Sequence, residues 1–358
     1  MTPAPDRIPI VLLGGTGYVA GELLRLLAAH PRFAVETLVS TSRPGERVEA
    51  VFPHLTGTAV GGLAFQPLDA TERSFTRGRA AGIFAATPHG ATAALLDGVL
   101  RRAEAAGAPA RAVDLSADFR FADPGEFTAI YGTPHGAPQR AARFVCALPE
   151  HHVGEPPEHA AQPGCFTTAT VLAAFPLLAR GLCAGDIFVS AVTGSSGSGR
   201  APAAQTHHPE RRSNLYAYTP LAHRHEAEMR RLLAAACGGA EPEVAFVPHS
   251  GPFVRGIHAT VRLTLRHPLT AGDVAGAINE FYAGCAFVSA GVEPARLADV
   301  IGTNRCRLGV AARGRTLVVT SVIDNLVKGA AGGAMQWMNR LMGLADDTGL
   351  RQPGLGWC

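Results

Sequence analysis

The chain has 358 residues, 47% of them apolar and 17% charged, with a formal net charge of +3 at pH 7. This length favours two domains, and so large an apolar fraction argues against a disordered chain. The small positive charge does not indicate a nucleic-acid-binding protein, although it mildly favours anionic substrates.

The cysteines and the hydropathy pattern indicate where the protein works. The seven cysteines are odd in number and none is spaced as C-x-x-C, which fits a reducing cytoplasm better than a disulfide framework or a zinc site. No apolar run reaches the roughly 18 residues of a membrane span. No cleavage site follows the short apolar run at residues 8–13, which we interpret as a first strand and not a signal peptide. We therefore expect a cytoplasmic protein without a membrane partner.

The first predicted strand, residues 10–13, is joined by a glycine-rich turn at residues 14–21 to a helix with a leucine stripe. Strand, glycine turn and helix in this order are the context of a dinucleotide-binding fingerprint, because glycine lets the backbone approach a pyrophosphate at the helix N-terminus. The candidate cofactor-binding residues in this turn are Gly14, Thr16, Gly17, Tyr18 and Val19.

The end of the second predicted strand, residues 35–39, indicates which dinucleotide binds. NAD-binding domains usually place Asp or Glu there, on the ribose hydroxyl groups. Here the sequence STSR follows instead, ending in Ser42 and Arg43. Because hydroxyl groups and a guanidinium suit a 2′-phosphate, we predict NADP(H) as the cofactor, with both residues as its ligands. The alternative is that Arg43 is an ordinary solvated loop charge.

Two further strands, residues 82–86 and 111–115, extend the parallel pattern. Polar turns at the carboxyl ends of parallel strands face the ligand crevice, so Arg120, in the turn after the second of these strands, is a candidate for substrate binding. The sequence EPPE at residues 155–158 is typical of a linker. We therefore predict an NADP-binding Rossmann domain over residues 1–158.

Cys165 is the predicted nucleophile. Pro163 and Gly164 end the preceding segment, and the apolar pattern from Cys165 onward is typical of a helix. At a helix N-terminus, unpaired N–H groups and the helix dipole favour a thiolate. The alternative is a cysteine that fills the core. Pro176 removes one backbone hydrogen bond of this helix and predicts a kink.

A segment rich in glycine and serine, residues 194–200, follows the strand predicted at residues 187–192. Such a composition commonly marks a flexible linker. Its place directly after a buried strand, ending in Arg200, also suits a backbone cradle for an anion. We predict that Ser195 and Gly197 contact the cofactor.

Four histidines lie within residues 207–225. They lack the i, i+4 spacing with an accompanying carboxylate that zinc sites on helices show, so we predict no metal. A histidine that deprotonates a thiol needs one ring nitrogen within reach and a carboxylate that orients it. His225, with Glu228 one helical turn later, supplies both. The alternative is a structural histidine.

The second half of the chain is dominated by predicted strands, at residues 244–247, 257–265, 306–310 and 316–323, with a helix at residues 270–283. This pattern predicts one mixed or antiparallel sheet in a second domain, residues 159–324, which contains the predicted catalytic residues; its role in dimerisation is implied only by the family resemblance given below. Small residues after Asn325 predict a C-terminal helix, residues 325–358, that completes the nucleotide-binding domain and brings Asn325 near the cofactor.

Together these segments resemble the N-acetyl-gamma-glutamyl-phosphate reductase family. The matching stretches keep the family's order over nearly the whole chain: residues 14–21, 42–43, 114–120, 163–165, 194–200, 223–225 with 228, 255–257 and 324–329. The resemblance implies an α/β chain, in which an N-terminal Rossmann domain precedes an α+β catalytic domain like that of glyceraldehyde-3-phosphate dehydrogenase, assembled as a tetramer or dimer. It also implies Cys165 as nucleophile and His225 as base, and we expect Arg120, His223 and Arg255 to bind substrate.

The implied reaction is the NADPH-dependent reduction of N-acetyl-gamma-glutamyl phosphate to N-acetylglutamate 5-semialdehyde and phosphate, in arginine biosynthesis, through a thioester on Cys165. Two features depart from the family: Ala227 stands where proline is frequent, and the sequence HHPER at residues 207–211 looks more like the lysine-biosynthesis branch. That branch reduces an aminoadipyl phosphate attached to a small acidic carrier protein, which is therefore an alternative partner.

Two further classes of protein share parts of this pattern. Aspartate-semialdehyde dehydrogenase has the same fold and chemistry, but the sequence His223-Arg224-His225 argues against it. A non-catalytic NADPH-sensing regulator would need neither Cys165 nor His225, and both are present.

Overall fold

The computed structural model of the protein describes residues 7–356. Its strands are β1 (Ile8–Leu13), β2 (Phe33–Val39), β3 (Ala81–Ala85), β4 (Ala110–Asp114), β5 (Phe144–Cys146), β6 (His159–Ala161), β7 (Cys183–Thr193), β8 (Tyr216–Ala217), β9 (Val244–Ser250), β10 (Ile257–Leu265), β11 (Val288–Gly291), β12 (Cys306–Arg313) and β13 (Thr316–Ile323). Its α-helices are α1 (Tyr18–Ala28), α2 (Val48–Val51), α3 (Thr92–Ala106), α4 (Pro124–Tyr131), α5 (Cys165–Ala179), α6 (His208–Arg211), α7 (Arg224–Ala234), α8 (Ala271–Phe281) and α9 (Gly332–Leu341). Over this range no helix is long and apolar enough to cross a lipid bilayer.

The described chain divides into two compact units. Unit 1 contains the residues up to Gln162 together with Ala331–Arg351, and unit 2 contains Pro163–Ala330 and the residues from Gln352 onward. Unit 1 thus extends past the linker predicted at residues 155–158, because β6 still adds a strand to its sheet. The assignment of domains to residues 1–158 and 159–324 stays a prediction.

Unit 1 is built on a six-stranded sheet in the order β2-β1-β3-β4-β6-β5, and every neighbouring pair is parallel. The predicted Rossmann fold is confirmed. All residues of β3 are buried and apolar or glycine, as expected of a parallel strand covered on both faces. The strand order reverses beside β1, so the turn after β1 lies at the switch point where such sheets bind ligands.

The helix predicted over residues 325–358 was wrong in length, since α9 spans only Gly332–Leu341. A π-helical turn, Val327–Ala331, precedes it, because the Gly329 N–H bonds the carbonyl of Asp324, five residues earlier. After the helix, Gly343 adopts a φ of +68°, a left-handed conformation that ends helices and favours glycine. The chain then folds back on α9, as Asn339 Nδ2 donates to the carbonyl of Thr348.

Unit 2 contains a seven-stranded mixed sheet in the order β11-β12-β13-β10-β7-β9-β8. The predicted bounds of β10 and β13 are confirmed, because long strands with one buried face alternate cleanly in sequence. The apolar face of the sheet packs against α5. Residues all around α5 are buried, because α7 and α8 also pack on it.

Candidate active site

Cys165 begins helix α5, directly after the N-cap residue Gly164, and is partly exposed. The predicted position at a helix N-terminus is confirmed. The π-helical turn of unit 2 lies against its side chain, since a Cβ on Gly329 would stand 2.7 Å from Cys165 Cβ. Only glycine fits there, so the backbone itself forms one wall beside the thiol.

Glu228 fixes the turn that carries the cysteine. Its carboxylate is 2% exposed, and Oε2 accepts hydrogen bonds from Gly164 N–H at 2.9 Å and from Thr167 Oγ1 at 3.0 Å. A carboxylate at the N-terminus of α5 is favoured by the helix dipole and satisfies one of the free N–H groups there. The position of Cys165 therefore depends on a contact between α5 and α7.

His225, in the first turn of α7, lies against the residue that precedes Cys165. A Cβ on Gly164 would overlap His225 Nε2, so glycine is required for the imidazole to approach. The same nitrogen is 4.0 Å from Glu228 Oε1, within ion-pair range but beyond a hydrogen bond. The structure thus brings together Cys165, His225 and Glu228, the three predicted catalytic residues; their roles stay predictions.

His223 has a structural contact in addition to its predicted role in substrate binding. It is the N-cap of α7, and its Nδ1 accepts the N–H of His225 at 3.2 Å. Burial lowers the pKa of His223 to about 4, which keeps the ring neutral near pH 7 and able to accept that bond. Its ring also packs edge-on against Phe166 and Phe246.

A buried carboxylate, Asp324, organises the other predicted residues of unit 2. Its Oδ2 accepts a hydrogen bond from Arg255 Nε at 3.1 Å and lies 3.0 Å from Nη2 in an ion pair, so the guanidinium is held while a quarter of the side chain stays exposed. The next residue, Asn325, accepts Gly256 N–H at 2.6 Å and donates to Ser196 Oγ at 3.1 Å. Contact of Asn325 with the cofactor stays a prediction.

Hydrogen bonds occupy the first backbone amides of the segment that follows β7. The N–H groups of residues 194–196 donate to carbonyls of residues 253–256, and the N–H of Gly197 donates to Gly194. These four amides therefore already have acceptors, and the anion cradle predicted for residues 194–200 stays a prediction. Ser195 and Gly197 stay predicted contacts of the cofactor.

The glycine turn of unit 1 fits a dinucleotide. Gly14 has a φ of +83°, and a Cβ there would stand 2.6 Å from the carbonyl oxygen of Ala86. Gly17, the N-cap of α1, has no atom within 4 Å of the Cβ position, so the backbone is open at the helix N-terminus. That is where a pyrophosphate would bind, beside Thr16, Tyr18 and Val19.

The residues predicted for the 2′-phosphate lie just beyond β2. Ser42 Oγ is 3.3 Å from Ser40 Oγ, and Arg43 Nη1 forms an ion pair with Glu46 Oε2 at 2.9 Å. Both partners of this ion pair are about half exposed.

Arg120, the residue of unit 1 predicted to bind substrate, is 8% exposed, and its Nε donates a hydrogen bond to the carbonyl of Gln162 at 3.0 Å. The roles of Ser42, Arg43 and Arg120 stay predictions.

The sequence analysis missed two residues of this site: Thr167, which bonds Glu228, and Gly329, which lies against Cys165. Thr167 was treated as part of a helix, although a hydroxyl in the first helical turn is a common ligand of a carboxylate. Gly329 was assigned to packing against the nucleotide-binding domain, whereas it contacts Cys165 within unit 2. Across residues 7–356, no three His, Cys, Asp or Glu side chains are grouped as metal ligands.

Comparison with known families covers both units. Residues 9–151 match "Semialdehyde dehydrogenase, NAD binding domain", and residues 165–325 match "Semialdehyde dehydrogenase, dimerisation domain". Among solved structures, aspartate semialdehyde dehydrogenase II of Vibrio cholerae covers 94% of this chain and 99% of its own, with a TM-score of 0.68 and 16% identity. The NADP-bound aspartate semialdehyde dehydrogenase of Candida albicans covers 96% and 100%, with a TM-score of 0.64 and 14% identity. These structures show the shared fold.

Relatives of higher identity extend over the full length. N-acetyl-gamma-glutamyl-phosphate reductase of Ectopseudomonas mendocina is 41% identical over 356 residues, which cover 97% of this chain and 99% of the relative. The proteins of the same name from Pseudomonas fluorescens (strain Pf0-1) and Alkalilimnicola ehrlichii are each 39% identical with the same coverage. The identity of these relatives over the full length shows the family, and the nucleotide-binding turn and the cysteine at a helix N-terminus agree with it. The chain belongs to the N-acetyl-gamma-glutamyl-phosphate reductase family.

Proposed function

We propose that this protein reduces N-acetyl-gamma-glutamyl phosphate to N-acetylglutamate 5-semialdehyde and phosphate with NADPH, in arginine biosynthesis. The observation that carries the proposal is the placement of Cys165 at the N-terminus of α5, with His225 against Gly164. A nucleophile beside a base suits acyl transfer, and the names of the full-length relatives supply the substrate.

Unit 1 provides the determinants of cofactor binding. The open backbone at Gly17 receives the pyrophosphate, and Ser42 with Arg43 receives the 2′-phosphate. The Arg43–Glu46 ion pair does not oppose this, because an exposed pair contributes only about 0–1 kcal/mol and a phosphate can replace Glu46. When bound, NADPH supplies the hydride that reduces the acyl group.

In the first half of the reaction, His225 accepts the proton of the Cys165 thiol and the thiolate attacks the carbonyl carbon of the acyl phosphate. A C–S bond forms and the C–O bond to phosphate breaks, so phosphate leaves, takes up one proton from water, and a thioester remains. Glu228 holds the attacking turn through Gly164 N–H and lies 4.0 Å from the imidazole, so its charge stabilises His225 when protonated.

In the second half, Cys165 would hold the acyl carbon as a thioester while the cofactor reduces it, and would carry the resulting thiohemiacetal oxyanion. Backbone N–H groups at the start of α5 and the protonated His225 stabilise this oxyanion. The C–S bond then breaks, the semialdehyde leaves and the thiolate is restored. Lowering the pKa of a thiol by one to two units supplies only about 1.4–2.7 kcal/mol, so positioning and oxyanion stabilisation must contribute most of the acceleration.

Arg255 is the group we assign to the phosphate that leaves. Its guanidinium is oriented by the buried Asp324 and a quarter of the side chain stays exposed, so its positive charge attracts an anionic group of the substrate. This arrangement keeps the positive charge in place before substrate arrives, which avoids the entropic cost of ordering a free arginine.

We also propose that copies of the chain associate through the outer face of the mixed sheet. This face carries Phe188, which is 44% exposed, on a strand of the region that matches a dimerisation domain. Phe188→Glu should convert a dimer or tetramer into smaller species, as measured by sedimentation, and an unchanged mass would contradict the interface.

The six described cysteines carry no disulfide, consistent with a protein that works in the cytoplasm.

The test is a phosphate-dependent assay in the oxidative direction. Purified enzyme, N-acetylglutamate 5-semialdehyde and NADP⁺ should form NADPH only when inorganic phosphate is present. The carrier-linked aminoadipate semialdehyde, offered in parallel, should be turned over at least about 100-fold less efficiently. Turnover of the carrier-linked substrate alone would assign the protein to the lysine branch, and NADPH formation from neither would contradict the enzyme assignment.

A further inference from the structure

The segment before β8 contains a buried guanidinium that the mechanism above does not use. Arg211, the last residue of α6, is only 7% exposed. Its Nη1 donates to Ser250 Oγ at 2.5 Å. Its Nε and Nη2 are buried and have no hydrogen-bond partner among the described residues 7–356. A buried cation with unpaired N–H groups costs several kcal/mol, so an anionic partner is expected.

The strand register places this guanidinium beside the site. Ser250 ends β9 and pairs with Thr193, which ends β7 and leads into the segment bonded to Asn325. On its other side, Ser250 pairs with Tyr216 of β8. Arg211 therefore lies at the carboxyl ends of β7 and β9. Ser196 and Asn325, which bond each other, follow strands that end at the same side of the sheet.

Tyr218 links Arg211 to the nucleophile. Burial raises the pKa of the Tyr218 hydroxyl, the charge of Cys165 raises it further, and the charge of Arg211 lowers it. The Tyr218 hydroxyl is thus within electrostatic range of both Cys165 and Arg211. The Tyr218 ring also packs edge-on against His223, at 5.7 Å between ring centroids. Because Tyr218 follows β8, which pairs with Ser250, and His223 packs against His225, Arg211 lies near the N-terminus of α7 that carries His225.

We propose that Arg211 binds the carboxylate of the acyl substrate, the group on the carbon that also carries the blocked amine; this inference rests on the proposed function. Ser250 holds Nη1, which leaves Nε–H and Nη2–H as a parallel pair on one edge of the guanidinium. Two parallel N–H groups match the two oxygens of a carboxylate. A site with this pair rejects a substrate that lacks the carboxylate, because the buried N–H groups would stay unpaired.

The experiment compares two aldehydes in the oxidative assay, N-acetylglutamate 5-semialdehyde and 4-acetamidobutanal, which differ only by the carboxylate. In the wild type, kcat/KM should be about 100-fold higher for the first. In Arg211→Met this ratio should fall below about five, mainly through a higher KM for the first aldehyde. Arg211→Lys, which keeps the charge, should recover part of the ratio. Arg212→Met, a change at the exposed neighbouring residue, should keep the wild-type ratio.

A binding measurement separates this inference from the proposed function. N-acetylglutamate should protect Cys165 of the wild type from iodoacetamide at about tenfold lower concentration than 4-acetamidobutanoate. In Arg211→Met or Arg211→Gln the two ligands should protect equally. If the wild type turns over neither aldehyde but N-acetylglutamate still protects Cys165 better than 4-acetamidobutanoate does, the proposed function is overturned and the Arg211 site is supported. A wild-type ratio and unchanged protection in folded Arg211 variants would overturn the Arg211 site.

Discussion

Replacing Glu228 by glutamine tests how the charge beside His225 contributes to catalysis. The side chain keeps its size and one carboxyl-like oxygen, so Gly164 N–H and Thr167 Oγ1 retain an acceptor. What disappears is the negative charge 4.0 Å from His225 Nε2. We expect Glu228→Gln to lower kcat/KM for the semialdehyde by about 10- to 100-fold while the KM for NADP⁺ stays within twofold.

The magnitude follows from the distance. Two full charges 4.0 Å apart attract by about 4 kcal/mol at an effective dielectric constant of about 20. The His225 side chain is 17% exposed and carries charge in only part of the cycle, so about half of this attraction remains. Weaker bonds from Gly164 and Thr167 to a neutral oxygen add up to about 1 kcal/mol. A loss of about 1.4–2.7 kcal/mol corresponds to the expected 10- to 100-fold.

The assay is steady-state NADPH formation from the semialdehyde at saturating phosphate, with thermal unfolding measured in parallel. The control is Glu226→Gln, which also removes one negative charge from the first turn of α7. Its kcat/KM should stay within threefold of the wild-type value. Glu228→Ala, which also removes the acceptor of Gly164 N–H, should lose at least tenfold more activity than the glutamine variant. A Glu228→Gln enzyme within threefold of wild type would refute the electrostatic argument.

Three further outcomes follow from contacts in the two units. Gly329→Ala places a methyl group 2.7 Å from Cys165 Cβ, so we expect kcat to fall at least about 100-fold and stability by about 1–3 kcal/mol. Arg43→Ala should raise the KM for NADPH about 10- to 100-fold in cofactor titrations and leave that for NADH unchanged. Burial lowers the pKa of His30 to about 4, so the folded state holds fewer protons than the unfolded state between pH 4 and 6.5. Stability to urea should therefore fall by up to about 3 kcal/mol as pH decreases through that range.

Each of these outcomes has a matched control. Gly276→Ala, in α8 with no atom within 4 Å of the Cβ position, should keep full activity. Equal activity of both alanine variants would contradict the close packing at Cys165. Arg47→Ala, at an exposed neighbouring position, should leave the KM values for NADPH and NADH unchanged. If Arg43→Ala also leaves the KM for NADPH unchanged, the prediction of NADP(H) as the cofactor is contradicted in favour of NAD. His30→Gln should show a smaller loss of stability on acidification than wild type; an equal loss would contradict a role for His30.

The His30 effect has a specific geometric cause. Its Nδ1 accepts the N–H groups of Arg32 and Phe33, and its Nε2 bonds the oxygens of Asn339 and Thr348. This arrangement requires the neutral ring with the proton on Nε2. A second proton on Nδ1 would face two N–H donors, so protonation breaks both bonds and favours the unfolded chain.

Elements with a long, regular pattern could be predicted from the sequence. β10 and β13 alternate over eight or nine residues, and their bounds were predicted correctly. The three-residue strands β5 and β6 are too short to show a period, and they form only because the sheet of unit 1 extends to them. α9 was predicted too long, because small residues signal close packing but not where a π-helical turn replaces the α-helix.

The candidate site was predictable in its chemistry but not in its contacts. Cys165 could be found from the Pro-Gly stop ahead of a helix, and His225 from a carboxylate one turn later. The bond from Gly164 N–H to Glu228 joins residues 64 positions apart, and no local pattern encodes it. The same limit applies to Arg211, whose partner Ser250 lies 39 residues away. Contacts between elements depend on the fold, which the local sequence only restricts.

The most direct measurement is capture of the acyl group on the enzyme. Wild-type protein is mixed with N-acetyl-gamma-glutamyl phosphate without NADPH, quenched in acid, digested and examined by mass spectrometry. We expect an N-acetylglutamyl thioester on the Cys165 peptide of the wild type and of Cys237→Ser. Cys165→Ser should show no thioester. This variant should still bind NADPH but should not oxidise it. An unlabelled Cys165 peptide in an enzyme that completes many turnovers once NADPH is added would contradict covalent catalysis by this cysteine.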